Sequence, residues 1–187
     1  MSNVMMGFDI SLRNTGWVAV IPRGHGEYEV IDYGYLHTEP PTKKSGIRAA
    51  DANIERCKTI YRTLRTAIIH HMAAGLAFEV PNQGGKSASA IKSMEMATAL
   101  IAAIDEEQGL SRDTSGIYVS PRENKLALTG KANASKDEME AAVGALFPEI
   151  QWPKAECQFE HIADAAGVLY AVRYSDLYRR IAGQGIA

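Results

Sequence analysis

The chain has 187 residues, 46% of them hydrophobic and 22% charged, and its formal net charge is −2. These values are ordinary for a globular protein and predict one domain over residues 1–187, without internal repeats. No apolar run is long enough to cross a membrane, and no signal peptide is evident. The net charge argues against a protein wrapped in nucleic acid, although it allows a local basic face.

Three strands are predicted at the start of the chain. Val4–Ile10 is nearly all apolar and is followed by a turn-rich stretch, which is typical of a strand buried on both faces. Gly16–Ile21 and Tyr28–Tyr35 follow, and their short link predicts an antiparallel meander. Asp9 lies within the first strand, where an unpaired carboxylate is costly. It therefore needs a proton, a hydrogen-bonding shell or a metal ion.

The rest of the chain alternates helices and strands. We predict a long amphipathic helix that begins at Ile47 and is ended by Gly75, followed by a strand at Leu76–Val80. A helix begun by Ser87 or Ser89 and a strand at Gly116–Val119 come next. The last two predicted elements are a helix capped by Ser135 and a helix from about Phe159 to Arg180. This order indicates an α/β fold with a five-stranded mixed sheet, three antiparallel strands and then parallel ones, flanked by helices. Cys57 and Cys157 match no metal-binding spacing, so we expect reduced thiols in a cytoplasmic protein.

Acidic side chains are expected to meet at one edge of this sheet. Glu79 ends the fourth strand, and open α/β sheets bind ligands at the carboxyl ends of their strands. If that strand is parallel and adjacent to the first, Asp9 and Glu79 can reach one cation. Glu160, His161 and Asp164 share one face of the last helix because they are three and four residues apart. Each residue alone also has a structural explanation, such as a helix-dipole contact or an ordinary hydrogen bond.

Four segments stand in the order known from one protein family. Gly7–Trp17 is similar to an opening G-[IF]-D-P-G-x-x-x-T-G motif, and Phe78–Val80 is similar to a second acidic strand. Ser120–Lys125 and Thr129–Lys136 match a segment that runs from a fifth strand to the start of a basic helix. His161–Ala166 resembles a terminal D/H-x-x-D-A motif. Together, these segments resemble the RuvC-type Holliday-junction resolvases over nearly the whole chain.

The resemblance implies an RNase H-like fold, a homodimer, and metal-dependent cutting of four-way DNA junctions by paired symmetrical nicks, in DNA recombination and repair. It implies that Asp9, Glu79 and Asp164 are acidic metal ligands, and that His161 stands where many relatives carry Asp. By the same analogy, Lys125 and Lys136 are basic residues near the scissile strand, and Lys136 is counted with the catalytic residues.

Two departures from the family pattern bear on the substrate. Ile10-Ser11 replaces the usual Pro-Gly, which changes the first turn. Residues 81–85 lack the aromatic side chain that some relatives stack on the junction. Other branched DNA and RNA–DNA hybrids therefore stay open as alternative substrates.

The expected chemistry is hydrolysis of a phosphodiester, which needs an attacking hydroxide and a neutralised leaving oxygen. Two Mg²⁺ ions about 3.5–4 Å apart supply both, and Mg²⁺ prefers oxygen ligands. We expect Asp9 to bridge the ions, with Glu79 and Asp164 each holding mainly one. His161, as a softer ligand, would tolerate Mn²⁺ or shuttle a proton. Glu160 is the reserve ligand if His161 points elsewhere.

Basic and polar side chains are expected to border this acidic cleft and to contact DNA. They are Lys86, Lys92, Arg122, Lys125, Lys131 and Lys136, with Asn82 and Gln83 in the loop after Glu79. For each cation, a solvated surface position is the simpler alternative. Lys136 opens a helix, whose free amides add a phosphate site. A basic rim would let a chain of net charge −2 bind DNA with salt-sensitive affinity.

Three other functions fit less well. Gly84–Ser87 resembles a phosphate loop, but Val80 stands where that loop needs its first Gly, so no nucleotide cofactor is expected. Actin-like kinases need two domains of this kind, and the chain is too short for two. A module that binds branched DNA without cutting it is also disfavoured. Asp9, Glu79 and Asp164 argue against it, because unpaired acids beside phosphate weaken DNA binding.

Overall fold

The computed structural model describes residues 3–42, 44, 46–81, 87–112 and 116–183. Its five strands are β1 (Met5–Ile10), β2 (Asn14–Gly24), β3 (Glu27–His37), β4 (Gly75–Glu79) and β5 (Ile117–Val119). They form one sheet in the order β3-β2-β1-β4-β5. β2 is antiparallel to β1 and β3, whereas β4 is parallel to β1 and β5. The predicted mixed sheet is confirmed, and β4 is parallel and adjacent to β1, which is the condition under which Asp9 and Glu79 can reach one cation.

Six helices flank the sheet within the described residues. They are α1 (Ala49–His70), α2 (Ala88–Arg112), α3 (Pro121–Thr129), α4 (Lys136–Leu146), α5 (Glu156–Ala171) and α6 (Asp176–Ile181). α1 and α2 share one hydrophobic cluster with side chains of β1, whereas α5 and α4 belong to a second cluster. None of these helices combines the length and hydropathy that a membrane span requires.

β1 is the central strand, and it contributes to both clusters. Met6 and Phe8 lie in the cluster with α1 and α2, while Met5 lies in the cluster with α5. All three side chains are fully buried. This accounts for the nearly continuous apolar sequence of the strand, because alternate side chains point to opposite faces.

The first helix differs from the prediction at both ends. It begins at Ala49, so Ile47 precedes it, and it ends at His70 rather than at Gly75. The helix stops there because Met72 takes a positive φ of 49°, which a continuing right-handed helix does not allow. Gly75 is instead the first residue of β4.

One further prediction about helices was wrong, and one helix was missed. The predicted last helix is two helices, because α5 ends at Ala171 and the hydroxyl of Ser175 caps a separate α6. α3 was not predicted, although Ser120 and Glu123 form a capping box and Pro121 occupies the first turn. This is the same sequence signature that correctly predicted α4 at Ser135.

Glycines allow α5 to lie unusually close to the sheet. A Cβ atom at Gly7 would lie 2.4 Å from the carbonyl oxygen of Ala165, and one at Gly16 would lie 2.2 Å from that of His161. Both glycines face α5 from neighbouring strands. Only a residue without a side chain fits at these contacts, so the two glycines set the distance between β1, β2 and α5.

Candidate active site

Two carboxylates lie side by side at one edge of the sheet. Asp9 in β1 and Glu79 in β4 are register partners, and because these strands are parallel, their carboxyl ends lie at the same edge. Both side chains line the same cavity. The expected proximity of the two acids follows directly from this pairing.

α5 brings two more ligand-type side chains to this edge. Ligand atoms of Asp9, His161 and Asp164 all lie within 4.8 Å of one another. His161 Nδ1 is 2.6 Å from Asp9 Oδ2, so the imidazole points into the cluster. The ring of Tyr35 is nearly parallel to the ring of His161, with 6.2 Å between centroids.

Asn124 in α3 supports this cluster, and the sequence analysis did not single it out. Its side chain is fully buried, and Nδ2 donates to Glu79 Oε2 (2.5 Å) and to the backbone oxygen of Asp164 (2.9 Å). One amide therefore ties β4 to α5. Gly167 leaves room for it, since a Cβ atom there would lie 2.1 Å from Asn124 Oδ1. The capping box at Ser120 was the available signal, because it places Asn124 one turn into a helix.

The carboxylates of the cluster are poorly compensated. Burial, followed by the charges of Asp9 and Asp164, raises the pKa of Glu79 to about 8. Burial and the charge of Asp9 raise the pKa of Asp164 to about 7. For His161, burial opposes the charged form, but the hydrogen bond to Asp9 and the negative charges around the ring together outweigh it, and the pKa is raised. Within the described residues, no lysine or arginine lies within ion-pair distance of Asp9, Glu79 or Asp164.

These shifts predict that the metal-free protein loses stability as the pH rises from about 5 to 8. A group whose pKa is higher in the folded state binds more protons there, so its stabilising contribution disappears as the pH rises through that folded-state pKa. Glu79, Asp164 and His161 all act in this direction. Thermal unfolding in EDTA over this pH range measures the effect.

Binding of a divalent cation should reverse this loss of stability, because the cation replaces the protons that neutralise the acids. We expect Mg²⁺ or Mn²⁺ to raise the melting temperature more at pH 8 than at pH 6. Asp164→Asn should flatten the pH dependence in EDTA. A melting temperature in EDTA that is constant or rises between pH 5 and 8 would contradict the assignment.

The donor set of the cluster fits a hard divalent cation. Asp9 and Asp164 supply oxygen atoms and His161 supplies one ring nitrogen, all within 4.8 Å of one another, and these are ligands that Mg²⁺ and Mn²⁺ accept. Glu79 lies beside Asp9 on the paired strand but is not part of this group of three. Excess negative charge at a partly buried site is stabilised by a cation. Glu160 is not part of this group either, and its Oε1 lies 2.5 Å from Lys136 Nζ.

The turn after β1 is built differently from the family pattern, but it is well formed. Ser11 Oγ donates to the carbonyl oxygen of Asn14 and accepts from the Asn14 amide, at 2.5 and 3.0 Å. The Thr15 hydroxyl donates to the carbonyl oxygen of Ser11 at 3.0 Å. The side chain of Ser11 thus stabilises this turn in a sequence that lacks the Pro-Gly of the family motif.

The predicted basic residues have various surroundings. Lys125 Nζ donates to the carbonyl oxygen of Ala134 (2.8 Å). Its positive charge offsets a small part of the rise in the pKa values of Glu79 and Asp164. Lys131 pairs with Glu138 (2.5 Å), Lys92 lines the cavity beside Asp9, and Arg122 is exposed on α3. Asn82, Gln83 and Lys86 lie outside the described residues, as do residues 82–85 of the loop that lacks the aromatic side chain.

Comparison with known proteins gives consistent results. A model of the family described as "Crossover junction endodeoxyribonuclease RuvC" matches residues 5–171. The crossover junction endodeoxyribonuclease RuvC of Salinibacter ruber (strain DSM 13855 / M31) is 29% identical over 168 residues, which cover 88% of this chain and 82% of that protein.

Solved structures share the fold at low sequence identity. The structure of T. thermophilus RuvC in complex with a Holliday junction substrate has a TM-score of 0.68 and 17% identity, covering 90% of this chain and 91% of that one. The yeast mitochondrial Holliday junction resolvase Ydc2 has a TM-score of 0.60 and 10% identity, covering 97% and 84%. At these identities, the likeness supports the RNase H-like fold.

Proposed function

Because the chain belongs to the RuvC family of crossover junction endodeoxyribonucleases, we propose that it resolves four-way DNA junctions by hydrolysing a phosphodiester in each of two strands. One observation carries this proposal. Asp9 and Glu79 on adjacent parallel strands meet His161 and Asp164 from α5 at one edge of the sheet.

Each residue of the cluster has a proposed role. Asp9 is the central metal ligand, with Glu79, Asp164 and His161 completing a site for Mg²⁺ or Mn²⁺, and we propose two ions. Divalent cations at such a site stabilise the charge on the attacking and leaving oxygens of phosphodiester hydrolysis. Asn124 orients Glu79 through its hydrogen bond, and His161 holds or releases a proton at its other ring nitrogen.

The protein is proposed to act as a homodimer on branched DNA. A four-way junction has two-fold symmetry, so two identical active sites related by a two-fold axis can nick opposite strands symmetrically. The T. thermophilus relative was solved on a Holliday junction, which supports the same substrate here. Lys92, Arg122 and Lys125 stand on segments that border the acids and would contact phosphates.

A substrate panel tests this function. Purified protein is incubated with Mg²⁺ and, separately, with a synthetic four-way junction, a linear duplex, a flap and an RNA–DNA hybrid. Paired symmetrical nicks confined to the junction support the proposal. Preferential cleavage of the hybrid or flap would favour another RNase H-like nuclease, and binding to the junction without cleavage in Mg²⁺ or Mn²⁺ would favour a non-cleaving module.

Lys136→Ala is expected to slow junction cleavage by about tenfold and to weaken the salt dependence of binding. Lys136 stands at the start of α4, is exposed, and pairs with Glu160 at 2.5 Å. If its ammonium meets a DNA phosphate, its loss should reduce the slope of log affinity against log salt by about 0.9. Binding titrations at several salt concentrations measure that slope.

Lys58→Ala is the matched control. Lys58 pairs with Glu55 on the exposed side of α1, so this variant loses the same charge and a similar surface ion pair. We expect its cleavage rate and salt slope to equal those of the wild type. A slope that is unchanged in Lys136→Ala would refute the proposed phosphate contact.

A further inference from the structure

A cavity of about 430 Å³ lies at the end of the sheet that is opposite to the acidic cluster. It opens between the turn that joins β2 and β3, the end of α4 and the segment that follows α5. Asp9 is the register partner of Gly16, and Gly24 follows Gly16 by eight residues in β2. At the usual rise of a strand, this separation is about 25 Å. The cavity is therefore separate from the proposed active site.

Aromatic and apolar side chains form much of the lining of this cavity. They are Tyr28, Leu146, Phe147, Tyr170 and Tyr174. Two of them are well exposed, since Leu146 keeps 39% and Tyr174 keeps 62% of its surface accessible. Exposed apolar surface around a concave site is typical of a contact with another molecule.

Arg173 also belongs to the lining, and its guanidinium lies over two aromatic rings. It is 3.8 Å from the centroid of the Tyr170 ring and 4.7 Å from that of Tyr174. Its Nη1 donates to the backbone oxygen of Tyr170 at 2.6 Å. These contacts hold the guanidinium in place, and they leave most of its N–H donors without an acceptor among the described residues.

The charge of Arg173 is uncompensated, unlike that of two other arginines at this end of the sheet. Arg23 pairs with Glu29, and Arg179 pairs with Asp176 at 2.8 Å. In the part of the chain that the structure describes, no carboxylate lies within 4.0 Å of the Arg173 guanidinium. The cavity thus presents one positioned positive charge beside apolar surface. A carboxylate with an apolar neighbour is complementary to this arrangement.

The turn on the other side of the cavity is firmly anchored. The hydroxyl of Tyr178, a buried residue of α6, donates to the backbone oxygen of Glu27 (2.8 Å) and accepts from the amide of Gly24 (3.1 Å). Tyr174 packs on the same turn, since a Cβ atom at Gly26 would lie 2.8 Å from its ring. The walls of the cavity are therefore preformed, so a ligand would have little ordering of the protein to offset.

A second cavity favours a chain-like ligand over a small anion. It has a volume of about 390 Å³, and Tyr174 lines it as well. Its other lining residues include apolar side chains of β5, α3 and the end of α5, namely Ile117, Val119, Ala127 and Val172. A peptide can place one side chain in each cavity, on either side of Tyr174, whereas a free anion would fill only the first.

The charges in the lining favour a protein ligand over DNA. Among the described lining residues, Arg173 is the only lysine or arginine, and Glu27 is also present. A single guanidinium suits a single carboxylate. A DNA backbone instead brings a row of phosphates and needs several cations, and Glu27 would repel so high a negative charge.

We propose that this cavity is a docking site for a partner protein, which places the carboxylate of an aspartate or glutamate against Arg173 and a neighbouring apolar side chain against Leu146 and Tyr174. The inference does not depend on the proposed function. A partner bound here would leave the acidic end of the sheet free, so both contacts can be made at the same time.

Selection from a phage-displayed library of random peptides on the immobilised wild-type protein tests the proposal. We expect the enriched peptides to share an aspartate or glutamate beside an apolar residue. One enriched peptide is then synthesised with a fluorescent label, in its own sequence and with the carboxylate replaced by an amide. In fluorescence anisotropy, we expect the amide to bind about tenfold more weakly, because the charge-assisted hydrogen bonds to the guanidinium are weakened.

Arg173→Gln should weaken binding of the labelled peptide by a similar factor, and Arg23→Gln is the matched control. Arg23 is an exposed arginine at the same end of the sheet, but it does not line the cavity. This control loses the same charge and should bind the peptide as the wild type does. The amide peptide should lose little further affinity for Arg173→Gln, because the two altered groups contact each other.

Leu146→Asp tests the apolar contact without altering Arg173, and Leu126→Asp is its control. Both leucines are exposed, by 39% and 51%, but of the two only Leu146 lines the cavity. We expect Leu146→Asp to lose peptide binding and Leu126→Asp to keep it. Thermal unfolding of each variant shows that the differences do not come from loss of the fold.

Three results would overturn the proposal: no peptide is enriched, the enriched peptides lack a carboxylate, or the Arg173 and Arg23 variants bind the peptide alike. A lower affinity of Arg173→Gln for duplex DNA, with unchanged peptide binding, would also overturn it and indicate a phosphate contact. Arg173→Gln should cut a four-way junction as fast as the wild type does. Failure of the wild type to cut any junction would refute the proposed function and leave the docking site untouched.

Discussion

Asp9→Asn is expected to lower junction cleavage by at least about 10³-fold while junction binding is kept or tightened. Asp9 is the residue that all other members of the cluster face. It is the register partner of Glu79, it lies 2.6 Å from His161, and its charge raises the pKa of Asp164. The amide of asparagine is nearly isosteric with the carboxylate of aspartate, but it is a much weaker ligand for a divalent cation. Removing one negative charge beside the DNA phosphates should also favour binding.

The same substitution should stabilise the metal-free protein. Asp9 is one of the charges that raise the pKa values of Glu79 and Asp164, so its removal relieves repulsion between partly buried groups. We therefore expect a higher melting temperature in EDTA at pH 8, and a smaller increase when Mg²⁺ is added. Cleavage assays, binding titrations and thermal unfolding of one preparation measure the three effects together.

Asp32→Asn is a suitable control, because Asp32 forms a second Asp–His pair within the described residues. Asp32 lies on β3 and His71 lies at the end of α1, and Asp32 Oδ2 is 3.0 Å from His71 Nε2. This variant should retain cleavage and its response to Mg²⁺. If the Asp9→Asn variant instead fails to fold and to bind the junction, Asp9 is a structural residue. The proposed active site would then lack its central metal ligand.

Gly16→Ala is expected to cost about 3 kcal/mol or more of folding free energy, even though it adds only one methyl group. The new Cβ atom would lie 2.2 Å from the carbonyl oxygen of His161 and 2.8 Å from the amide nitrogen of Ile162. Both atoms are backbone, so the clash can be relieved only by moving α5 away from the sheet. The expected fall in melting temperature is about 10 °C.

Gly144→Ala is the matched control for this prediction. Gly144 lies inside α4, and no atom is within 4 Å of the position that its Cβ would occupy. Alanine there should stabilise the protein slightly, by about 0.5–1 kcal/mol, because it favours the helix. Equal stabilities of the two variants would mean that α5 does not contact β2 as closely as described. The Gly16 variant should also bind Mg²⁺ more weakly than the wild type.

Much of the sheet could be predicted because its signals are local. The apolar run of β1 and the stop of β4 before Pro81 indicate buried strands, and their chain order favours a parallel pair. Once that pairing is assumed, Asp9 and Glu79 must be neighbours. The i, i+3 spacing of His161 and Asp164 likewise places both on one side of α5.

The missed features depend on contacts between distant segments. Asn124 matters because it reaches Glu79 and Asp164, which are 45 and 40 residues away in the chain. No periodicity marks such a residue. The break between α5 and α6 was missed because the apolar spacing continues across it, whereas the Ser175 cap that begins α6 is a weaker signal. The lining of the cavity beside the acids likewise comes from segments far apart in the sequence.

The close backbone contacts of Gly7 and Gly16 have a consequence for how such a centre changes over time. Because residues without side chains set the spacing between helix and sheet, the distance between the backbone of α5 and those of β1 and β2 is fixed independently of which side chains stand at the site. Position 161 can then exchange one donor chemistry for another, retuning ion preference, while the scaffold around it stays as it is. Larger residues at the glycines themselves are disfavoured, since they would displace α5, and with it His161 and Asp164, relative to Asp9 on β1.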